Sequence, residues 1–291
     1  MRDHIKKNYN DMNKQFLIIV CLMSMPLFSM QDRSLTLPES IVVGGIAGAG
    51  EVVLPGQLLS YATNCAIKKE KFVVLQSYRG FWMNALGEMP TFAIQKAVQV
   101  QSCKLLEQQK QQQLSDTEKV AISFIAGAIS AVIDTPSSAV QIYQQEVQHA
   151  KKSIMQVCKE LGVKKSFRGF TAGALLKEGF FVVGYQIIAP QGKKLAQQYY
   201  GDNFTATIVG GISAGMLTGV ATHPGVVIRN TMQIDRNKII YSTTWQTCEK
   251  IMHEQGARGF YKGFTQRGIR IAIAVPLYVA YTDIVEDLIK S

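Results

Sequence analysis

The chain has 291 residues, is 47% hydrophobic with a mean hydropathy of +0.07, and carries a net charge of +10. That is too polar for a lipid-buried bundle with a dry centre and too apolar for an ordinary basic soluble protein. Its Lys and Arg residues gather on no single helix face or arm, which argues against a nucleic-acid partner, and an all-α membrane bundle around a water-filled cavity fits all three facts.

Residues 1–37 read as an N-terminal extension. Within them, 16–30 (FLIIVCLMSMPLFSM) follow Lys6, Lys7 and Lys14 and look like the start of a secretory signal. The apolar run is short for a span and no small-x-small cleavage site follows it, so we expect a dispensable or targeting segment. The first repeat covers 38–104. It comprises a helix over 38–66 with Gly44, Gly48 and Gly50 ahead of Pro55, a short amphipathic helix near 70–77, the triplet Tyr78-Arg79-Gly80, and a helix over 80–104. Residues 105–117, polar and Gln-rich, form a linker.

The second repeat covers 118–198, with a helix over 118–148 holding Gly127, Ser130 and Pro136. A short helix near 151–160, the triplet Phe167-Arg168-Gly169 and a helix over 169–198 complete it. After a linker at 199–203, the third repeat occupies 204–291. It has a helix over 204–234 with Gly211, Gly215, Gly219 and Pro224, a short helix near 242–254, the triplet Tyr261-Lys262-Gly263, and a helix over 263–289.

Successive prolines lie 81 and 88 residues apart, room in each unit for two membrane-length helices and one short one. The architecture expected is six transmembrane helices in three pseudo-symmetric repeats around a central cavity, as in a transporter. Small residues at helical spacing let helices approach closely in lipid, and each proline removes a backbone hydrogen bond and bends its helix. Loops within repeats hold fifteen Lys/Arg against five in loops between repeats, which orients the chain with both termini opposite the basic side.

Five scattered cysteines without a CxxC pair imply neither a disulfide framework nor a zinc site, and no cofactor is expected. Gly211-Ile212-Ser213-Ala214-Gly215 fits GxSxG but sits inside an apolar helix, so helix packing is its better reading and no enzyme is expected. Intramembrane charges mark substrate sites because a lone charge at mid-bilayer costs about 2.5 kcal/mol or more. The candidates are Glu51, Glu88, Lys177, Glu178, Arg229, Arg267 and Arg270.

The three prolines and triplets together resemble the repeat signature of the mitochondrial carrier family. That signature runs Pro-x-[Asp/Glu]-x-x-[Lys/Arg], then [Asp/Glu]-Gly-x4-aromatic-[Lys/Arg]-Gly, and it covers about 38–290 here. Gln145 and Gln233 match the family's usual Gln after the proline, with Asn64 in repeat one, and Gln266-Arg267-Gly268-Ile269-Arg270 resembles Pro-Arg-x-x-Arg. The signal-like N-terminus makes the chain similar to divergent carrier-like proteins that some intracellular bacteria deliver into host mitochondria.

The resemblance implies a monomeric, multi-pass carrier of the mitochondrial inner membrane, bound to cardiolipin, that exchanges a small anionic solute by alternating access. It places substrate contacts at Gly87, Glu88, Lys177, Glu178, Arg267 and Arg270. Gate positions would be Gln57, Ser60, Ser138, Gln141, Val226 and Arg229 on the matrix side, and Lys193, Asp283 and Glu286 on the other. Arg229 is the one charge left in the matrix ring, and Val226 is expected to face Gln141. Four basic side chains in the cavity favour nucleotides such as ADP and ATP; an amino-acid or carboxylate carrier, drawn from Lys177-Glu178, and a transport-dead receptor are the alternatives.

Overall fold

The computed structural model describes residues 35–51, 56–146, 152–201, 204–235, 237 and 239–290, without the side chains of Glu51, Leu75, Phe204 and Thr207 and of most residues after 277. The N-terminal extension up to residue 34 and Pro55 lie outside the described residues. Among the described residues nine helices follow one another: α1 (Leu37–Glu51), α2 (Gln57–Lys68), α3 (Phe81–Lys110), α4 (Asp116–Gln144), α5 (Ile154–Ser166), α6 (Ala172–Tyr200), α7 (Phe204–Ile234), α8 (Thr244–Gln255) and α9 (Phe264–Lys290). By length and composition α4, α6 and residues Ile208–Ile234 of α7 are apolar enough to cross a membrane.

Local chemistry sets the boundaries. Ser115 and Ser153 each start a helix with a reciprocal capping box, to Glu118 and Gln156, and Thr243 caps α8. Two boundaries depart from expectation. The amphipathic helix expected at 70–77 is only a 3-10 turn over Val74–Gln76, because Lys69 adopts a left-handed conformation that ends α2 and the β-branched Val73 stays extended. The linker expected at 105–117 is largely helical, since α3 runs on to Lys110.

The six long elements form a closed ring: α1 packs on α3, α3 on α4, α4 on α6, α6 on α7, α7 on α9, and α9 returns to α1 and α2. Within each repeat the small residues expected to permit close packing are at the contact. A Cβ on Gly44 would lie 2.5 Å from the Phe92 carbonyl oxygen, one on Gly127 would collide with the Glu178 carbonyl, and one on Gly215 would come within 3.0 Å of the Ile271 carbonyl. Gly211 and Gly215 thus serve the α7–α9 contact, while Ser213 donates to the Val209 carbonyl of its own helix.

The triplets tie the repeats together. Gly80, Gly169 and Gly263 have φ of +75°, +72° and +75°, a conformation that favours glycine. Gly80 abuts Gln141 and Gly169 abuts Arg229, while Gly263 closes the cycle on Thr63 and Ala66 of repeat one. Each triplet therefore seats the second long helix of its repeat (the even helices α3, α6 and α9) against the first (the odd helices α1–α2, α4 and α7) of the next repeat. α4 and α7 continue through Pro136 and Pro224, and the Val220 carbonyl, released by Pro224, accepts a long 3.5 Å hydrogen bond from Tyr261 Oη.

Candidate functional site

The ring surrounds a cavity in two adjoining parts, both lined by Glu88, Lys177, Arg267 and Arg270. Ser60, Ser138, Gln141, Val226 and Arg229 line the first part, and Glu178, Phe92 and Phe181 the second. Glu88, Lys177, Glu178, Arg267, Arg270 and Arg229 were all expected here, and the structure brings them together. Gly87 differs: a Cβ there would lie 2.5 Å from that of Ser137, so it serves the α3–α4 contact, and Asn84 lines the wall instead.

The charges are engaged with one another. Arg270 on α9 reaches Glu88 on α3 at 3.3 Å, and Arg267 donates to the Gly219 carbonyl of α7 at 3.2 Å. Asp134 on α4, only 4% exposed, accepts from Lys177 Nζ at 2.8 Å and pairs with Arg229 of α7. Lys177 also pairs with Glu178, whose second oxygen accepts from Gln95 Nε2 at 2.8 Å. Gln95 in turn accepts from Tyr185 Oη at 2.9 Å.

Sequence reasoning missed Asp134. The acid was sought two residues after Pro136, where Ser138 stands; it lies two residues before, on the same helix face one turn away. Ser138 Oγ donates to Asp134 Oδ1 at 3.2 Å, so the signature position supports the acid rather than supplying it.

The floor of the cavity is sealed mostly by amides. Gln57 Nε2 donates to the carbonyls of Ser77 and Arg79 at 2.7 and 3.0 Å, and its Oε1 accepts from Asn84 and Gln141 at 2.9 and 3.1 Å. Gln141 was expected to face Val226; its amide goes to repeat one instead, with Ser60 Oγ also 3.5 Å away. One layer further, Asn64 donates to Gln145 at 2.8 Å and accepts from Asn230 at 2.8 Å, joining all three odd helices. Gln233 Nε2 donates to the Thr135 carbonyl at 3.0 Å. Amides replace lost charges well here because each carries both a donor and an acceptor, so three helices can share one chain of bonds.

Of the opposite gate, Lys193 on α6 is partly exposed, while the side chains of Asp283 and Glu286 lie outside the described residues. Beyond the bundle, Arg168 of the second triplet donates to the carbonyls of Asp235 and Tyr241. Burial lowers its guanidinium pKa, with Asp235 offsetting part of that shift. Burial raises the Asp235 carboxyl, but the N–H groups of Tyr241, Ile240 and Ile239, together with Arg168, hold it below its ordinary range.

A helical ring with charged side chains converging on a central cavity is the arrangement that the three-repeat signature led us to expect. A sequence model described as mitochondrial carrier protein matches residues 200–291, the third repeat. The chain is 23% identical over 172 residues to a probable mitochondrial 2-oxoglutarate/malate carrier protein of Dictyostelium discoideum, covering 53% of this chain and 54% of that one. It is 27% identical over 179 residues to the mitochondrial glycine transporter of Xenopus laevis, covering 59% and 58%. To a probable S-adenosylmethionine carrier 2, chloroplastic, of Arabidopsis thaliana it is 24% identical over 262 residues, covering 87% and 75%. It thus spans little more than half the length of the first two relatives. These matches make the chain similar to divergent members of the mitochondrial carrier family. Its relatives are transporters that point to an organelle membrane, mitochondrial in most cases.

Proposed function

We propose that this chain carries a small carboxylate-bearing solute, an amino acid or short dicarboxylic acid, across the mitochondrial inner membrane by alternating access. The observation that supports it is the charge balance at the cavity, where Lys177, Arg229, Arg267 and Arg270 meet Glu88 and Glu178 on the wall and the buried Asp134 behind it. A site with both signs in reach suits a zwitterion or a short dianion. A nucleotide, first favoured by the basic side chains, would bring several phosphate charges against three acids in a medium where each repulsion is strengthened. Family resemblance further supports a monomer with cardiolipin at its lipid boundary.

Uptake into proteoliposomes tests the proposal. Labelled glycine, malate, 2-oxoglutarate and ADP are offered to vesicles preloaded with the unlabelled solute. Saturable uptake of a carboxylate, but not of ADP, is expected, and Arg270→Ala should lower it at least tenfold in a folded protein, since Arg270 lines both halves of the cavity and, unlike the buried Arg267 beside it on α9, is partly exposed. ADP exchange would overturn the solute assignment. No saturable flux with any solute would favour the receptor reading, which draws on the loss of the ionic gate.

A further inference from the structure

The acid of the second repeat stands four residues before its signature position, which sets it about 6 Å further along the helix, behind the cavity residue Lys177. There it meets two cations at once. Arg229 belongs to the floor, since it also bonds Asn230 of the amide layer at 3.2 Å. Lys177 belongs to the cavity, lining both of its parts. A solute carboxylate that reaches Lys177 or Arg229 therefore finds each already held by a protein carboxylate.

We propose that Asp134 is a specificity-determining residue that competes with the solute's carboxylate for Lys177 and Arg229, so that binding the solute and loosening the floor are one event. The proposal rests on the reading of the chain as a carrier of carboxylate-bearing solutes. The exchange is one carboxylate for another, with no bond made or broken covalently and no net change in local charge beyond that of the solute. A displaced Asp134 keeps the hydroxyl of Ser138 as donor, and Lys177 keeps Glu178. What is lost is the ionic tie between α4 and α7, which leaves the odd helices of repeats two and three joined across the floor by neutral contacts such as Gln233 to the Thr135 carbonyl. A solute without a carboxylate cannot make this exchange. A ligand shifts a conformational equilibrium only through such a difference in interaction between the two states.

The charged and titratable groups around Asp134 are Lys177 and Glu178 from α6 and Arg229 from α7, with Arg267 from α9 acting at longer range. Replacing the acid thus leaves its two cations in a site still furnished with one carboxylate. A merely structural ion pair and a competing one then differ in sign. Loss of either kind destabilises the empty protein, but only loss of a competitor improves binding of an external carboxylate.

The experiment is a thermal-unfolding titration of the purified full chain in detergent with 2-oxoglutarate, and with glycinamide as a probe lacking a carboxylate. Asp134→Asn should unfold at a lower temperature when empty and bind 2-oxoglutarate at least fivefold more tightly than the native chain, with no gain for glycinamide. The paired variant Asp134→Ser with Ser138→Asp keeps the charge count and moves the acid down one turn, and should show the same gain if the single variant does not fold. Equal or weaker 2-oxoglutarate binding overturns the proposal, and so does no response in any of the proteins. Flux measured alongside separates the two readings: tighter binding without flux in the native chain sinks the carrier reading, whereas flux without tighter binding in the variants sinks only the role of Asp134.

Discussion

Gln57 shows how a single side chain decides what chemistry a position in the cavity floor can hold. Its amide nitrogen donates to two backbone carbonyls while its oxygen accepts from Asn84 and Gln141. A carboxylate could serve only the second pair, and would turn two carbonyl oxygens toward a negative charge. Gln57→Glu should therefore destabilise the protein by about 1–3 kcal/mol at neutral pH, the range for a buried polar group left mispaired. Protonation of that new carboxyl restores one donor, so the penalty should be largest at neutral pH and shrink as the pH falls. Thermal unfolding of both proteins from pH 7 to pH 4 measures this. A cost that stays constant across the range would mean that the two carbonyl contacts do not hold Gln57 in place.

At the scale of elements, the sequence foretold most of the architecture and little of the wiring. The three repeats, six long helices and small-residue contacts were legible because proline and glycine act through backbone geometry, which spacing alone reveals. The amide chain was not, since Asn64, Asn84, Gln141 and Asn230 resemble any polar residue until three helices converge on them. Asp134 was missed for a related reason: an expected motif fixes attention on one position, whereas a helix offers equivalent ones a turn apart. α6 explains a further ambiguity. Lys177 and Glu178 were both expected at substrate contacts, although neighbours in sequence on a regular helix turn to different faces. Residues Ala172–Gly179 and Gly184–Ile188 are wound as π-helix, and both side chains line the cavity. Wide turns of this kind are rare and occur often at functional sites.

The triplet glycines give a prediction at this scale. Gly169 has positive φ and a virtual Cβ 2.9 Å from Arg229 Cα, whereas Gly162 has positive φ with no atom within 4 Å. Both Ala variants suffer positive-φ strain of about 1–3 kcal/mol, that at Gly162 arising at φ 62° and ψ 173°, a region open essentially to glycine. Gly169→Ala should cost about 1–3 kcal/mol more, as overpacking against a neighbouring backbone does. Equal losses in thermal or denaturant unfolding would mean that the even helix is not seated on the next repeat through this glycine.

For the whole molecule, the ring depends on ties between repeats, and the tie outside the bundle is ionisable. Arg168 of repeat two is clasped by the loop after α7, which Asp235 shapes by accepting from Ile239, Ile240 and Tyr241 at 3.1, 2.9 and 2.7 Å. The folded-state pKa of Asp235 is depressed, so its stabilisation is present above the ordinary carboxylate range and is lost as the pH falls through the folded value, below about pH 4. Asp235→Asn should remove that part of the acid dependence. If the native and variant proteins lose stability in parallel below pH 4, the clasp does not hold the two repeats. The amide floor has a consequence of another kind. Moving one elementary charge through the full membrane field is worth about 2.3 kcal/mol per 100 mV. Gln57, Asn64, Gln141, Gln145 and Asn230 bear no formal charge, so parting them does no work against the membrane voltage. In the carrier proposed above, Arg229 is the charged side chain of this floor on which a membrane voltage would act directly.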